Sequence, residues 1–299
     1  MKKTKWKKWI PVSIFFAIII WAFSGMWILL PRRYEVSAHV QTADELTIVA
    51  LADLHGRSFG FNQKRLVRKV KAENPDIIVY LGDMIDRENA ERSVEAVKKL
   101  SAELVKIAPV FFVDGNHEGS VQDENSEIYE AYRRALKEQG AVCLNDTAGS
   151  LEINGTTVNL AGVTTHYYWG EKDDALVDEL REKEGVNVLL CHYPESVIWY
   201  KAFEGGGLDL ALCGHTHGGL VRVPFKGGVY APEQGYWPTF DMGAFPVYED
   251  ISWYHYSSES DTEYLGTMII SSGLAGEHHV PRINNPCEIT VIKVTSKGK

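Results

Sequence analysis

The chain has 299 residues, 45% of them hydrophobic and 24% charged, with a formal net charge of −9 at pH 7. That composition argues against wholesale disorder, and the length suits one large domain. Seven of the 31 basic residues fall in residues 1–33, which hold no acid. Residues 34–299 therefore carry 24 basic against 40 acidic residues, a formal −16, which argues against a nucleic-acid partner held by phosphate contacts.

Trp9 to Pro31 has no charged residue, with five lysines before it and Arg32 and Arg33 after it. About 20 apolar residues suffice to cross a bilayer, and the positive-inside bias places the lysine-rich end in the cytoplasm. Residues 1–33 thus read as a basic tail and transmembrane signal anchor. Residues 34–299 read as one domain on the extracytoplasmic side of the cell membrane. A signal peptide cleaved near Ala22–Gly25 is the alternative, giving a secreted protein. The four cysteines show no CxxC spacing, and Cys191 and Cys213 read as buried free thiols.

From Thr47 onward, short runs rich in Val, Ile, Leu and Phe alternate with helical patterns. TIVALAD, DIIVYLGD, APVFFVDGN, VNVLLCHYP and LDLALCGH predict strands buried on both faces. Residues 62–74, 90–107 and 125–139 place apolar residues at helical spacing. The alternation predicts an α/β core. Ser150–Val163 predicts a hairpin with an Asn-Gly turn, and the C-terminal third reads as strand and loop.

The predicted strands end in polar residues: Asp53 and His55, Asp83, Asn116 and His117, His192, then His215 and His217. Five of the ten histidines lie at these ends, the edge where parallel α/β sheets bind ligands. Asp53 and His55, two apart on an extended segment, are expected to point to one side. Carboxylates, imidazoles and one amide oxygen form a mixed O/N donor set that suits Mn, Fe or Zn. Eight candidates exceed the needs of one ion, and Asp83 could be shared between two.

The order DxH, GD, GNHE, H, GHTH resembles the calcineurin-like metallophosphoesterase family. The segments GLVRVPF and SSGLAG…VPRINNPCEITVI resemble its membrane-anchored bacterial branch. The resemblance implies a two-sheet sandwich flanked by helices, here preceded by one transmembrane helix. It implies that Asp53, His55, Asp83 and His217 hold one divalent ion, and that Asp83, Asn116, His192 and His215 hold the other. His117 would assist the leaving group. Two divalent ions, the carboxylates of Asp53 and Asp83 and one hydroxide leave about one positive charge for a phosphate.

The reaction expected is phosphoester hydrolysis, its substrate an ester or a diphosphate close to the membrane. The alternatives are a pyrophosphatase acting on a lipid- or nucleotide-linked diphosphate and, from another class, a non-catalytic metal-binding scaffold. Residues 235–266, rich in aromatics and acids, read as a β-hairpin with a solvated side or a substrate-facing flap. His166 reads equally as a loop or a site residue, His278 and His279 read rather as solvated loop residues, and Arg282 offers a bidentate phosphate ligand.

Overall fold

In strand β2 (Leu46–Leu51), Leu46, Ile48 and Ala50 face one apolar core while Val49 and Leu51 face another. This double burial, a consequence of the two-residue side-chain period, sets the architecture. The computed structural model describes residues 9–40, 42, 44–164, 174–199, 201–249, 256–277 and 280–296.

One six-stranded sheet runs β1 (Leu29–Ala38), β16 (Cys287–Ser296), β2, β3 (Ile77–Leu81), β4 (Val110–Val113), β5 (Val142–Cys143). β2 to β5 pair in parallel, β16 pairs antiparallel with β2, and β1 pairs parallel with β16. Its outer face is covered by α2 (Lys64–Ala72), α3 (Ala90–Leu104), α4 (Asn116–Glu124) and α5 (Ser126–Glu138), which contribute Leu66, Val97, Val121 and Tyr132 among others.

The second sheet runs β14 (Gly243–Tyr248), β15 (Tyr264–Ile270), β9 (Leu210–Cys213), β8 (Val186–Cys191), β7 (Thr156–Val163), β6 (Thr147–Ile153). The hairpin β6–β7 turns at Asn154 and Gly155, both at positive φ, as the Asn-Gly pair predicts. α6 (Asp174–Arg181) and α7 (Pro194–Trp199) flank this sheet, and two short ladders follow β9: β10 (Arg222–Val223) with β11 (Gly227–Gly228), and β12 (Tyr230–Ala231) with β13 (Gly235–Tyr236). Ile48, Val79 and Val113 from the first sheet meet Val158, Leu190 and Leu212 from the second. The result is the two-sheet sandwich with outer helices.

Two expectations need correction. The apolar run at Trp9–Pro31 is not one helix. α1 covers only Ile10–Ser24, about 22 Å at 1.5 Å per residue, against roughly 30 Å of bilayer hydrocarbon. Among the described residues no helix is long and apolar enough to cross a membrane. The chain turns at Gly25–Trp27, and Leu29, Leu30 and Pro31 pair with Cys287, Glu288 and Ile289. A proline is tolerated there because β1 is an edge strand.

The boundary at residue 33 therefore cuts through β1. Arg33 forks Glu73 with bonds of 2.9 and 2.8 Å, and Arg32 faces Glu288, so both flanking arginines belong to the folded unit. The hairpin reading of residues 235–266 matches the antiparallel pairing of β14 with β15. Phe240, Phe245 and Tyr256 pack edge to face there, and residues 250–255 lie outside the described residues. Among the described residues all four cysteines are free.

Candidate metal centre

Each candidate side chain follows the end of a core strand: Asp53 and His55 after β2, Asp83 after β3, Asn116 and His117 after β4, His192 after β8, His215 and His217 after β9. The structure brings all eight together. Asp53, His55, Asp83, His215 and His217 have φ between 45° and 70°, the left-handed region that residues other than glycine seldom enter. Such strain is concentrated at functional sites. It also corrects one expectation: Asp53 and His55 converge through these turns, not through alternation along an extended segment.

Glu118, unassigned in the sequence reading, shapes the Asp83 turn. Its buried carboxylate accepts from the backbone N–H groups of Asp83, Met84, Ile85 and Gly115 at 2.8–3.0 Å. The signal was its place in GNHE, in the first turn of α4. Glycines let the segments close: a Cβ on Gly115 would sit 2.4 Å from Asp83 Oδ1.

Two donor groups form, linked by a third made of His55, Asp83 and His117. The ligand atoms of Asp53, His55 and His217 lie within 4.8 Å of one another, as do those of Asp83, His192 and His215. His192 Nε2 lies 3.3 Å from Asp83 Oδ2, 3.1 Å from Asn116 Oδ1 and 3.2 Å from His215 Nδ1. Its Nδ1 lies 2.7 Å from the Leu81 carbonyl, which can only accept, so Nδ1 carries a proton. In a neutral ring Nε2 then turns a lone pair toward two oxygen acceptors and a second ring nitrogen, an arrangement that suits a cation between them.

Asp53 Oδ2, His55 Nε2, His215 Nε2 and His217 Nε2 are buried without a hydrogen-bond partner. Buried polar atoms are seldom left so, and here they cluster among oxygen and nitrogen donors. The residues fit divalent metal.

Electrostatics agree. Burial would push the His192 imidazole down, yet Asp83 and Asp53 hold it at about 10. Burial opposes ionisation of Asp83 too, but His192, His117 and His55 hold its carboxyl well below the usual range. Burial, then His192, pushes His215 well below the usual imidazole value. A site that pulls a proton onto one ring while stripping it from another favours any cation at its centre.

His117 sits at the rim of the cluster, its ring 4.5 Å from that of His55. Its Nδ1 lies 3.5 Å from Asp86 Oδ1, and its backbone N–H donates to Asp83 Oδ1 at 2.8 Å. Burial opposes protonation, but Asp86 and then Asp83 raise its imidazole to about 9.

Glu277 also went unassigned. Its Oε2 stands 2.7 Å from His217 Nε2. Burial would raise this carboxyl, but His217, His55 and His117 hold it at about 2. Arg282 is not placed to bind phosphate. It is 1% exposed, and its guanidinium donates to the carbonyls of Ser272, Ala275, Asn285 and Pro286 and to the side chains of Ser272 and Asn285. His166, His278 and His279 lie outside the described residues.

The sandwich, the strand-end donors and the order of the motifs define a metal-dependent phosphoesterase fold. The chain belongs to the calcineurin-like phosphoesterase family, whose model matches residues 46–219. It is 30% identical to YpbG of Bacillus subtilis (strain 168) over 178 residues, 59% of this chain and 63% of YpbG. It is 26% identical to YkoQ, an uncharacterised metallophosphoesterase of the same organism, over 183 residues, 60% of this chain and 64% of YkoQ. It is 27% identical to the phosphodiesterase YaeI of Escherichia coli (strain K12) over 203 residues, 67% of this chain and 71% of YaeI. The matched region spans less than two thirds of YpbG and YkoQ.

Proposed function

We propose that the protein is a dinuclear-metal-dependent phosphoester hydrolase. The observation that carries this is the set of orphaned buried donors at the ends of β2 and β9, facing a second donor group around Asp83. Asp53, His55, Asp83 and His217 would hold one ion and Asp83, Asn116, His192 and His215 the other, with Mn, Fe or Zn suited to the O/N set. When bound, the ions supply Lewis acidity and a hydroxide for in-line attack at neutral pH.

The chain supplies the rest. Asp83 is fixed by Glu118 so that its carboxylate lies between the two groups. Asn116 contributes an oxygen without charge, which keeps the site receptive to an anion. His117, kept protonated by Asp86, donates its proton to the departing alkoxide, an effect of about 10²–10⁴-fold.

The full-length protein, loaded with Mn²⁺, tests this on p-nitrophenyl phosphate and its bis-ester. Chelator-sensitive turnover is expected, with the diester favoured, in keeping with the phosphodiesterase named among its relatives. Metal-loaded protein that turns over neither ester, or turnover indifferent to chelator, would refute it. The scaffold alternative loses support because no expected donor is missing.

A second reading, hydrolysis of a lipid-linked diphosphate, draws on α1. This helix is apolar throughout and buries no residue. Its base meets the loop beneath the site: Asn284 N–H donates to Ala22 O at 2.8 Å, and Asn285 Nδ2 donates to His217 O at 2.7 Å. We infer that the domain lies on the outer face of the cell membrane with α1 resting on the bilayer without spanning it. Recovery of the protein in the membrane fraction, protease-accessible in intact spheroplasts, is expected. Full-length protein in the cytosol would refute attachment, and release after cleavage near Ala22–Gly25 would mark a secreted form.

A further inference from the structure

Glu277 lies in the loop between β15 and β16, outside the motifs that align the other donors. Its setting is built. Arg282 binds the loop from within, and Gly273 packs on Asp53. His217 Nδ1 lies 3.1 Å from the Ala275 carbonyl, so Nδ1 carries a proton and Nε2 is the atom available to a cation.

Glu277 Oε2 is 2.7 Å from that Nε2, with Asp53 Oδ1 at 3.9 Å. The contact is at ion-pair distance, a proton on Nε2 meeting the carboxylate when no metal is bound. A cation that replaces that proton meets both the nitrogen and the carboxylate oxygen. Two donors bound at right angles to one ion, each about 2.1 Å from it, are separated by roughly 3 Å. Glu277 and His217 have the spacing of neighbours on one coordination sphere.

We propose that Glu277 is an additional carboxylate ligand to the ion shared by Asp53, His55, Asp83 and His217. The inference rests on the two-ion reading above. It has a consequence for substrate. With Glu277 bound, the charge left after Asp53, Asp83 and one hydroxide falls from about +1 to about zero. A neutral centre discriminates against a dianionic monoester more than against a monoanionic diester. Glu277 thereby becomes a determinant of diester preference.

The test uses the full-length protein and its Glu277→Gln and Glu277→Ala variants, with Mn²⁺ as the probe. Binding is read by calorimetry and by the Mn²⁺ spin-resonance signal, and folding by circular dichroism of the metal-free forms. Both variants are expected to stay folded and to bind the first Mn²⁺ roughly 10- to 100-fold more weakly, the scale of removing a supporting group from a metal site. The second ion should be unaffected, and the monoester-to-diester rate ratio should rise. Wild-type affinity for both ions in either folded variant would overturn the proposal. Failure of the wild-type protein itself to bind Mn²⁺ would instead remove the two-ion reading beneath it.

Discussion

Gly273 lies against Asp53 so closely that a Cβ on the glycine would stand 2.6 Å from Asp53 Oδ2 and 2.8 Å from Asp53 Cβ. Its φ of +74° also disfavours any side chain. Gly273→Ala must therefore move either the loop or the carboxylate. The expected result is a stability loss of about 1–3 kcal/mol and loss of the first ion, read by metal analysis of dialysed protein. An alanine variant with wild-type metal content would show that the loop yields without disturbing Asp53.

Asp83 and His117 should separate cleanly. Asp83→Ala removes the carboxylate proposed to bridge the two ions, so metal content and turnover fall together. His117→Ala leaves the seven proposed ligands intact, so metal stays while turnover drops by about 10²–10⁴-fold. Equal metal loss in the two variants would contradict that division.

Arg282 offers a test of structural against substrate-binding roles. Its guanidinium makes six hydrogen bonds to the loop that carries Ala275 and Glu277. Arg282→Met leaves several buried acceptors unpaired and is expected to cost about 3–5 kcal/mol. Arg282→Lys keeps the charge but not the fork, and should lose a smaller part of that. Chemical denaturation measures both. A rise in KM with unchanged stability would instead restore the phosphate-binding role.

Glu195 provides a pH signature at a group that is not itself a metal donor. It is buried, its Oε1 accepts from Gln234 at 2.9 Å, and its Oε2 has no partner. Burial pushes its carboxyl up to about 7. A carboxyl raised on folding binds its proton more tightly in the native state, so the stability it lends is fully present below about 4.5. That contribution is lost as pH rises toward 7. Glu195→Gln should erase this dependence. Relative to the variant, the wild type should lose about 1–3 kcal/mol between pH 5 and 8, seen as diverging Tm values in the metal-free proteins. Parallel pH profiles would show that Glu195 is solvated or ionised in the native state.

The sandwich was legible because both faces of β2, β3, β4, β8 and β9 are buried, which writes continuous apolar runs ending in a polar residue. The eight clustered side chains were legible for the same reason: each follows such a run directly. Glu277 was not, because it is separated from any strand and reaches His217 only through a loop shaped by Arg282. α1 was overextended because hydropathy continues through Leu29–Pro31, and only the remote partner Cys287–Ile289 turns those residues into a strand. Pairing across so many residues leaves no mark in local periodicity.

That remote partner also governs how the molecule is made. β16 lies between β1 and β2 and bonds to both, yet it is synthesised on the order of 250 residues after β1. At about 5–20 residues per second, β1 and the near edge of β2 wait more than ten seconds for the strand that joins them. Until Cys287–Ser296 arrives, the loop beneath the site lacks the bonds that Glu288 N–H makes to the Gly273 carbonyl and Thr290 Oγ1 to Ser271 Oγ. A chain terminated before β16 is therefore expected to hold the loop beside Asp53 less firmly and to retain metal less well than the complete protein.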